Sequence, residues 1–180
     1  MPTNRRILYG SQALFSTATA TGVQSTGAMT QLHRIQSTSY DFSASRQDVN
    51  QFGSIAAIDR VQLDLPTVSL NASYLSTCGS NESGVGLYIG GDQSILKNIL
   101  DGTQLEKNYY VRVVPDGTDA VGYTGIDGGY IGIGNAVLAS YSSQGAVGSF
   151  ATGQFTVQGL YLVFSTGTLS GASAGIETSN

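Results

Sequence analysis

The chain has 180 residues, enough for one domain with its own core; 11% are charged, 24 are Gly and none is Trp. A formal net charge of −4 excludes a chain-wide basic grip on nucleic acid, near-zero mean hydropathy excludes a disordered chain, and no apolar run reaches the roughly 18 residues a membrane helix needs. The single Cys78 excludes an intrachain disulfide framework, and with one His it cannot complete a self-contained zinc site.

The opening MPTNRRILYG has two arginines but no apolar h-region, so no secretory signal is expected. Residues 5–9 read as a short strand with Ile7 and Tyr9 on one face. Residues 10–30, GSQALFSTATATGVQSTGAMT, are mostly small; only Leu14, Phe15, Val23 and Met29 offer anchors. They are expected to form an extended arm or long loop. Such a loop is uncommon in a compact domain unless it has a job or a partner orders it.

Residues 32–74 read as a long hairpin. Tyr40 and Phe42 share one face while Ser39, Asp41 and Ser43 share the other, the period of a half-buried strand. A polar connector, residues 46–53, follows. In the return run Val61, Leu63 and Leu65 oppose Arg60, Gln62 and Asp64. After Pro66 the parity flips, and Val68, Leu70, Ala72 and Tyr74 become the apolar set. A one-residue shift turns every side chain over, so a bulge or bend is expected at Leu65-Pro66, where Pro cannot donate to a ladder. The hairpin is therefore expected to change its buried face part way along.

CGSNESGVG reads as a turn-rich connector leading to Leu87, Tyr88 and Ile89. Residues 92–102 carry the helix signal: Asp92 as cap, Ile95, Leu96, Ile99 and Leu100 on one face, and Gly102 at the end. At about two turns this helix must lean on the sheet. KNYYVRVV, residues 107–114, is apolar on both faces and is expected to be a central strand. Pro115-Asp116-Gly117 is a turn, and a Gly/Asp-rich loop runs to residue 129. Residues 131–141 and 154–165 are the last two long strands, joined by SSQGAVGSFATG. The tail GTLSGASAGIETSN is small and polar and is expected to fray. Strands between Gly-rich turns imply an all-β sandwich or barrel.

Motifs of chemistry are scarce. His33 and Cys78 carry no nucleophile signature, and no G-x-S-x-G elbow occurs. Twelve acids offer no pairing for two-carboxylate hydrolysis. Asp116, Asp119 and Asp127 lack EF-hand spacing. Gly132-Ile133-Gly134 lacks the third Gly of a dinucleotide fingerprint, and the sequons at Asn71 and Asn81 mean little without secretion. No catalytic residue, cofactor or metal is expected. A low-charge β chain with no site and long extensions suits an assembly, whose interface cores are depleted in charge and whose ring closure covers strand edges.

The run QSTSYDFSASRQDVNQFGSIAAIDRVQLDLPTVSLNASYLSTCGSNE resembles the central hairpin of the major tail tube proteins of long-tailed, non-contractile bacteriophages. EKNYYVRVVPDGTDA and GIGNAVLASYSSQGAVGSFATGQFTVQGLYL are similar to their second half. Together these runs cover about half of the chain. The resemblance implies one domain over residues 1–180: a β-sandwich or half-barrel with one short helix that closes into a ring on oligomerisation. It implies hexameric rings stacked into a virion tube, assembled in the host cytoplasm, that conducts double-stranded DNA without binding it specifically. Tape-measure, terminator and baseplate proteins would be the other partners, with no membrane. Arg46, Gln47, Asp48, Asn50, Gln51 and Phe52 would form the loop reaching the next ring, with residues 10–30 and 166–180 as further contacts. Asp41, Asp59 and Asp64 are the candidates for a lumen that repels phosphate. Arg60 shares a face with Asp64 and is a candidate for an intersubunit pair. The alternatives are a capsid decoration protein or another virion sandwich, and a carbohydrate-binding module, which the absence of Trp disfavours.

Overall fold

One strand of 16 residues, β10 (Gly129–Gln144), is long enough to serve two sheets, and the fold is built around it. The computed structural model describes residues 9–17, 29–53, 55, 58–76, 79–89, 93–94, 106–123, 125 and 128–167. The first half of β10 pairs on one side with β9 (Lys107–Pro115) and on the other with β12 (Tyr161–Thr166). Beyond β9 lie β1 (Tyr9–Thr17) and the edge strand β2 (Met29–Leu32), completing the first sheet. The second half of β10 pairs with β11 (Thr152–Gly159), followed by β6 (Thr67–Leu75) and β3 (Ile35–Ser43), all antiparallel.

The change of sheet occurs where the β9–β10 register slips between Ile133 and Ala136, with Asn135 at φ 51. Asn tolerates this left-handed geometry better than most residues. Its Nδ2 donates to Glu106 Oε2 at 2.9 Å, and its backbone N–H donates to Asn108 Oδ1 at 3.0 Å. Gly159 faces the bulge so closely that a Cβ there would meet Ile133 Cγ2 at 2.8 Å.

The core lies between the sheets. Leu14, Tyr109, Val111 and Ile133 come from the first; Val68, Leu70, Ala72, Tyr74, Phe155 and Val157 come from the second. Burying a large apolar side chain contributes about 1.5–3 kcal/mol, so this layer is the main driving force. The expected apolar set of β6 is the set that is buried. So is the central placement of residues 107–114: Tyr109 and Val111 enter the main core, while Tyr110 and Val114 fill smaller clusters on the outer face.

Several expectations are corrected. The arm expected over residues 10–30 is strand at both ends, in β1 and β2; residues 18–28 lie outside the described set. The strand signal was diluted because Ala13, Ser16 and Thr17, small or polar, hold buried positions. Of the strand expected at residues 5–9, only Tyr9 is described, and it opens β1. The connector 46–53 begins as a strand, β4 (Arg46–Val49), paired with β5 (Asp59–Gln62). The run expected at residues 154–165 breaks at Leu160 into β11 and β12, which join different sheets. The helix expected over 92–102 is contradicted at Gln93–Ser94, a short strand β8 paired with β7 (Tyr88–Ile89); its other residues lie outside the described set. Of the tail, Thr166 and Gly167 are described.

The described helix is α1 (Ser80–Gly84), in the stretch read as a turn-rich connector. Polar bonds hold it. Asn81 is fully buried; its Oδ1 accepts from His33 N–H and its Nδ2 donates to His33 C=O, both at 2.7 Å. Glu82 Oε1 accepts from the Tyr74 hydroxyl at 2.6 Å and the Tyr141 hydroxyl at 3.1 Å. The Gly84 carbonyl accepts from Ser16 Oγ at 2.9 Å and Lys107 Nζ at 3.0 Å. The helix thereby ties the first sheet, through β1 and β9, to the second, through β6 and β10.

Candidate functional site

The two sheets differ on their outer faces. The first sheet is covered outside by apolar clusters around Tyr110 and Val114, and Arg112 stacks on the Tyr123 ring at 5.1 Å. Burial pushes the Arg112 guanidinium and the Lys107 amine down from their ordinary values. The second sheet is bare outside. Alternation sends Ser37, Ser39, Asp41 and Ser43 of β3 outward, opposite Ser73, Asn71, Ser69 and Thr67 of β6. β11 adds Thr152, Gln154, Thr156 and Gln158; the second half of β10 adds Ser140, Ser142 and Gln144. Val137 is the large apolar exception, 44% exposed. Two pairs of these groups bond each other: Ser37 Oγ with Ser73 Oγ, and Thr156 Oγ1 donating to Asn71 Oδ1, both at 2.6 Å.

Both edges of this four-stranded sheet are open. Among the described residues β3 bonds only β6 in the sheet, and the second half of β10 bonds only β11. The sandwich also gapes beside β3, where a cleft of about 320 Å³ is lined by Leu14 and Val111 of one sheet and Ile35 and Thr38 of the other. Unpaired edges of this length are templates for another chain unless something covers them.

β4 and β5 carry the hairpin past the sandwich. All eight of their residues are exposed. The structure places Arg46, Gln47 and Asp48 on β4 and Asn50, Gln51 and Phe52 at the turn beyond it. The bend before β6 falls at Asp64-Leu65-Pro66, as the parity flip required, and Gln62 Nε2 donates to Asp64 C=O at 2.8 Å. However, Val61, Leu63 and Leu65 were expected to form a buried face, and they are 45%, 60% and 70% exposed. Phe52 and Ile55 at the tip are fully exposed. Among the described residues nothing covers this apolar row, and large exposed apolar patches mark interaction sites.

Charge on the hairpin is largely self-satisfied. Arg60 Nε donates to Asp48 Oδ1 at 2.6 Å, a pair across the β4–β5 ladder within one chain. Each partner favours the other's charged form: Asp48 is held below the usual carboxylate range and Arg60 above its ordinary value. The three lumen candidates separate. Asp41 sits on the polar sheet face, Asp59 on β5, and Asp64 in the bend.

No chemistry assembles. Among the described residues, no three His, Cys, Asp or Glu side chains group to hold a metal. His33 is exposed and engaged only through its backbone; Cys78 and Asp127 lie outside the described set. Gly132-Ile133-Gly134 lies inside β10, paired on both sides, and cradles no phosphate. Asn81 is buried, and Asn71 is bonded to Thr156. No described helix is long and apolar enough to cross a membrane. What sequence reasoning missed is the polar carpet as a unit. Its members were visible as the polar halves of separate strands, but only pairing puts them on one face.

No protein-family model matches the chain, and no curated protein matches it. Solved structures do. A chain of the extended PVC sheath–tube complex of an extracellular contractile injection system is 11% identical, with a TM-score of 0.56, and the match covers 91% of this chain and 93% of that one. A chain from the tube-terminating cap of the anti-feeding prophage is 11% identical, with a TM-score of 0.51, over 92% and 95%. The SPP1 tail tube is 12% identical, with a TM-score of 0.50, over 86% and 76%. At this identity the likeness establishes the fold, and the fold is the mainly-β sandwich with a short helix and no closed barrel within one chain.

Proposed function

We propose that this chain is the subunit of a phage tail tube, a structural virion protein that assembles into stacked hexameric rings and encloses a conduit for double-stranded DNA. The observation that carries the reading is the four-stranded sheet with both edges open among the described residues, extended by a hairpin whose apolar side chains stand exposed. In a ring, the β3 edge of one copy would meet the β10 edge of the next, making a continuous barrel and removing both edges. The polar face of that sheet would then line the channel, with Asp41 in the lumen. Arg46, Gln47, Asp48, Asn50, Gln51 and Phe52 would carry the hairpin onto the neighbouring ring, where Phe52 and Ile55 would be buried. Asp59 and Asp64 would belong to that contact rather than to the lumen. The fold shared with chains of tube assemblies supports this reading. Terminator, tape-measure and baseplate proteins would be the remaining partners, and no catalytic step is assigned.

Light scattering and negative-stain electron microscopy across a concentration series test this. Tubes or stacked rings are expected. Compact trimers without stacking would favour the decoration-protein alternative.

A further inference from the structure

The chain carries 8 basic and 12 acidic residues, yet among the described residues only Asp41 puts a charge on the outer face of the four-stranded sheet. Across four strands the face holds hydroxyls, carboxamides, the apolar Val137 and one acid, Asp41. Among the described residues it holds no Lys or Arg. The described cations are elsewhere: Arg46 and Arg60 on the hairpin, Arg34 at the corner before β3, and Lys107 and Arg112 buried in the first sheet.

We propose that this face acts as a charge-neutral, hydrated slip surface for a passing polyanion, and that the absence of cations, not the presence of acid, keeps the duplex from sticking. The inference rests on the tube reading and assigns the mechanism of its channel. Non-specific duplex binding comes from Lys and Arg that neutralise phosphates and release counterions, with a salt slope of about −0.9 per phosphate contacted. A face without cations releases none. Its hydroxyls and amides bond one another, as Ser37–Ser73 and Thr156–Asn71 do, or face solvent, so exchanging those partners for phosphate gains little. A single acid per subunit is a weak barrier by comparison, because its field is screened beyond about 8 Å at physiological salt.

The test compares tubes of wild type, Asp41→Asn, Asp41→Ser and Ser39→Lys. Each is checked for tubes by electron microscopy, assembled with a short fluorescent DNA duplex, and pelleted at low and moderate salt. Asp41 and Ser39 are both exposed, and both replacements of Asp41 are neutral. Wild type, Asp41→Asn and Asp41→Ser are expected to pellet the same low background of duplex at both salts. Ser39→Lys tubes are expected to retain duplex at low salt. A duplex touching about six such lysines would lose about a thousand-fold in affinity between about 50 and 200 mM salt. Salt-sensitive retention by the two neutral variants of Asp41 would overturn the inference while leaving the tube intact, because the acid would then be the barrier. Ser39→Lys tubes that hold no more duplex than wild type would also overturn it, because the face would not meet the DNA. Absence of tubes in wild type would instead overturn the function on which the inference rests.

Discussion

Gly153→Ala should be among the most damaging single-methyl changes in the second sheet. Gly153 lies directly opposite Tyr74 in the β6–β11 ladder. A Cβ there would collide with the Tyr74 ring, coming within 2.6 Å of its hydroxyl and 2.7 Å of Cε1. The ring cannot yield freely. It is 1% exposed, tilts against Phe155 at 6.1 Å, and its hydroxyl donates to Glu82 at 2.6 Å. Overpacking costs about 1–3 kcal/mol, and losing a buried hydrogen bond about 1–3 more, so the sum is about 2–6 kcal/mol. For a domain of this size that lowers Tm by about 4–24 °C. Calorimetry on the unassembled subunit measures it. Tyr74→Phe should be partly redundant with Gly153→Ala in a double-mutant cycle, since removing the hydroxyl removes one clash. An unshifted Tm for Gly153→Ala would refute the packing argument.

Four further outcomes follow from the same geometry. Asn81→Ala strips both bonds from the His33 backbone and should cost about 2–4 kcal/mol in urea unfolding, more than Asn81→Asp, which keeps the acceptor. Arg60→Ala should leave the urea midpoint unchanged, because the Arg60–Asp48 pair is exposed. Phe52→Asp with Ile55→Ser should leave the circular dichroism and Tm of the subunit intact while abolishing tubes in electron micrographs. Alkaline pH should destabilise the fold. Burial, first of all, raises the Tyr74 and Tyr109 phenols above their ordinary value of 10.0, so both stay protonated in the folded chain and ionise in the unfolded one. Their contribution is fully present below that value and lost progressively above it. Lys107, lowered by burial, acts oppositely: its cost fades as pH climbs towards 10.5. Two phenols against one amine give a net fall, seen as phenolate absorbance that appears only with unfolding.

The parts of the fold legible in the sequence were those where one strand's alternation carries the information. Val68, Leu70, Ala72 and Tyr74 announced their buried face, and the two-sided apolar run at residues 107–114 announced a central strand. The flip at Pro66 located the bend. What was illegible depends on partners distant in sequence. β1 hides because Ser16 and Thr17 are buried by bonds to Gly84 C=O and to the Asn108 backbone, not by apolar contact. α1 hides because five residues cannot show a helical period and its attachments are polar. The exposed Val61, Leu63 and Leu65 looked like core because alternation along one strand shows which side chains share a face and not whether the rest of the fold reaches that face. The polar face escaped for the opposite reason: total charge is a property of the chain, and only the β3–β6–β11–β10 pairing shows that, of the described acids, Asp41 alone lies on it.

Helical reconstruction of the assembled protein from cryo-electron micrographs tests the central claim most directly. The account predicts a hollow tube of stacked rings in which β3, β6, β11 and the second half of β10 face the channel, the β3 edge bonds the next copy, and the β4–β5 hairpin lies on the adjoining ring. A tube with this sheet on its outer surface, or closed trimers with the hairpin free in solvent, would contradict it.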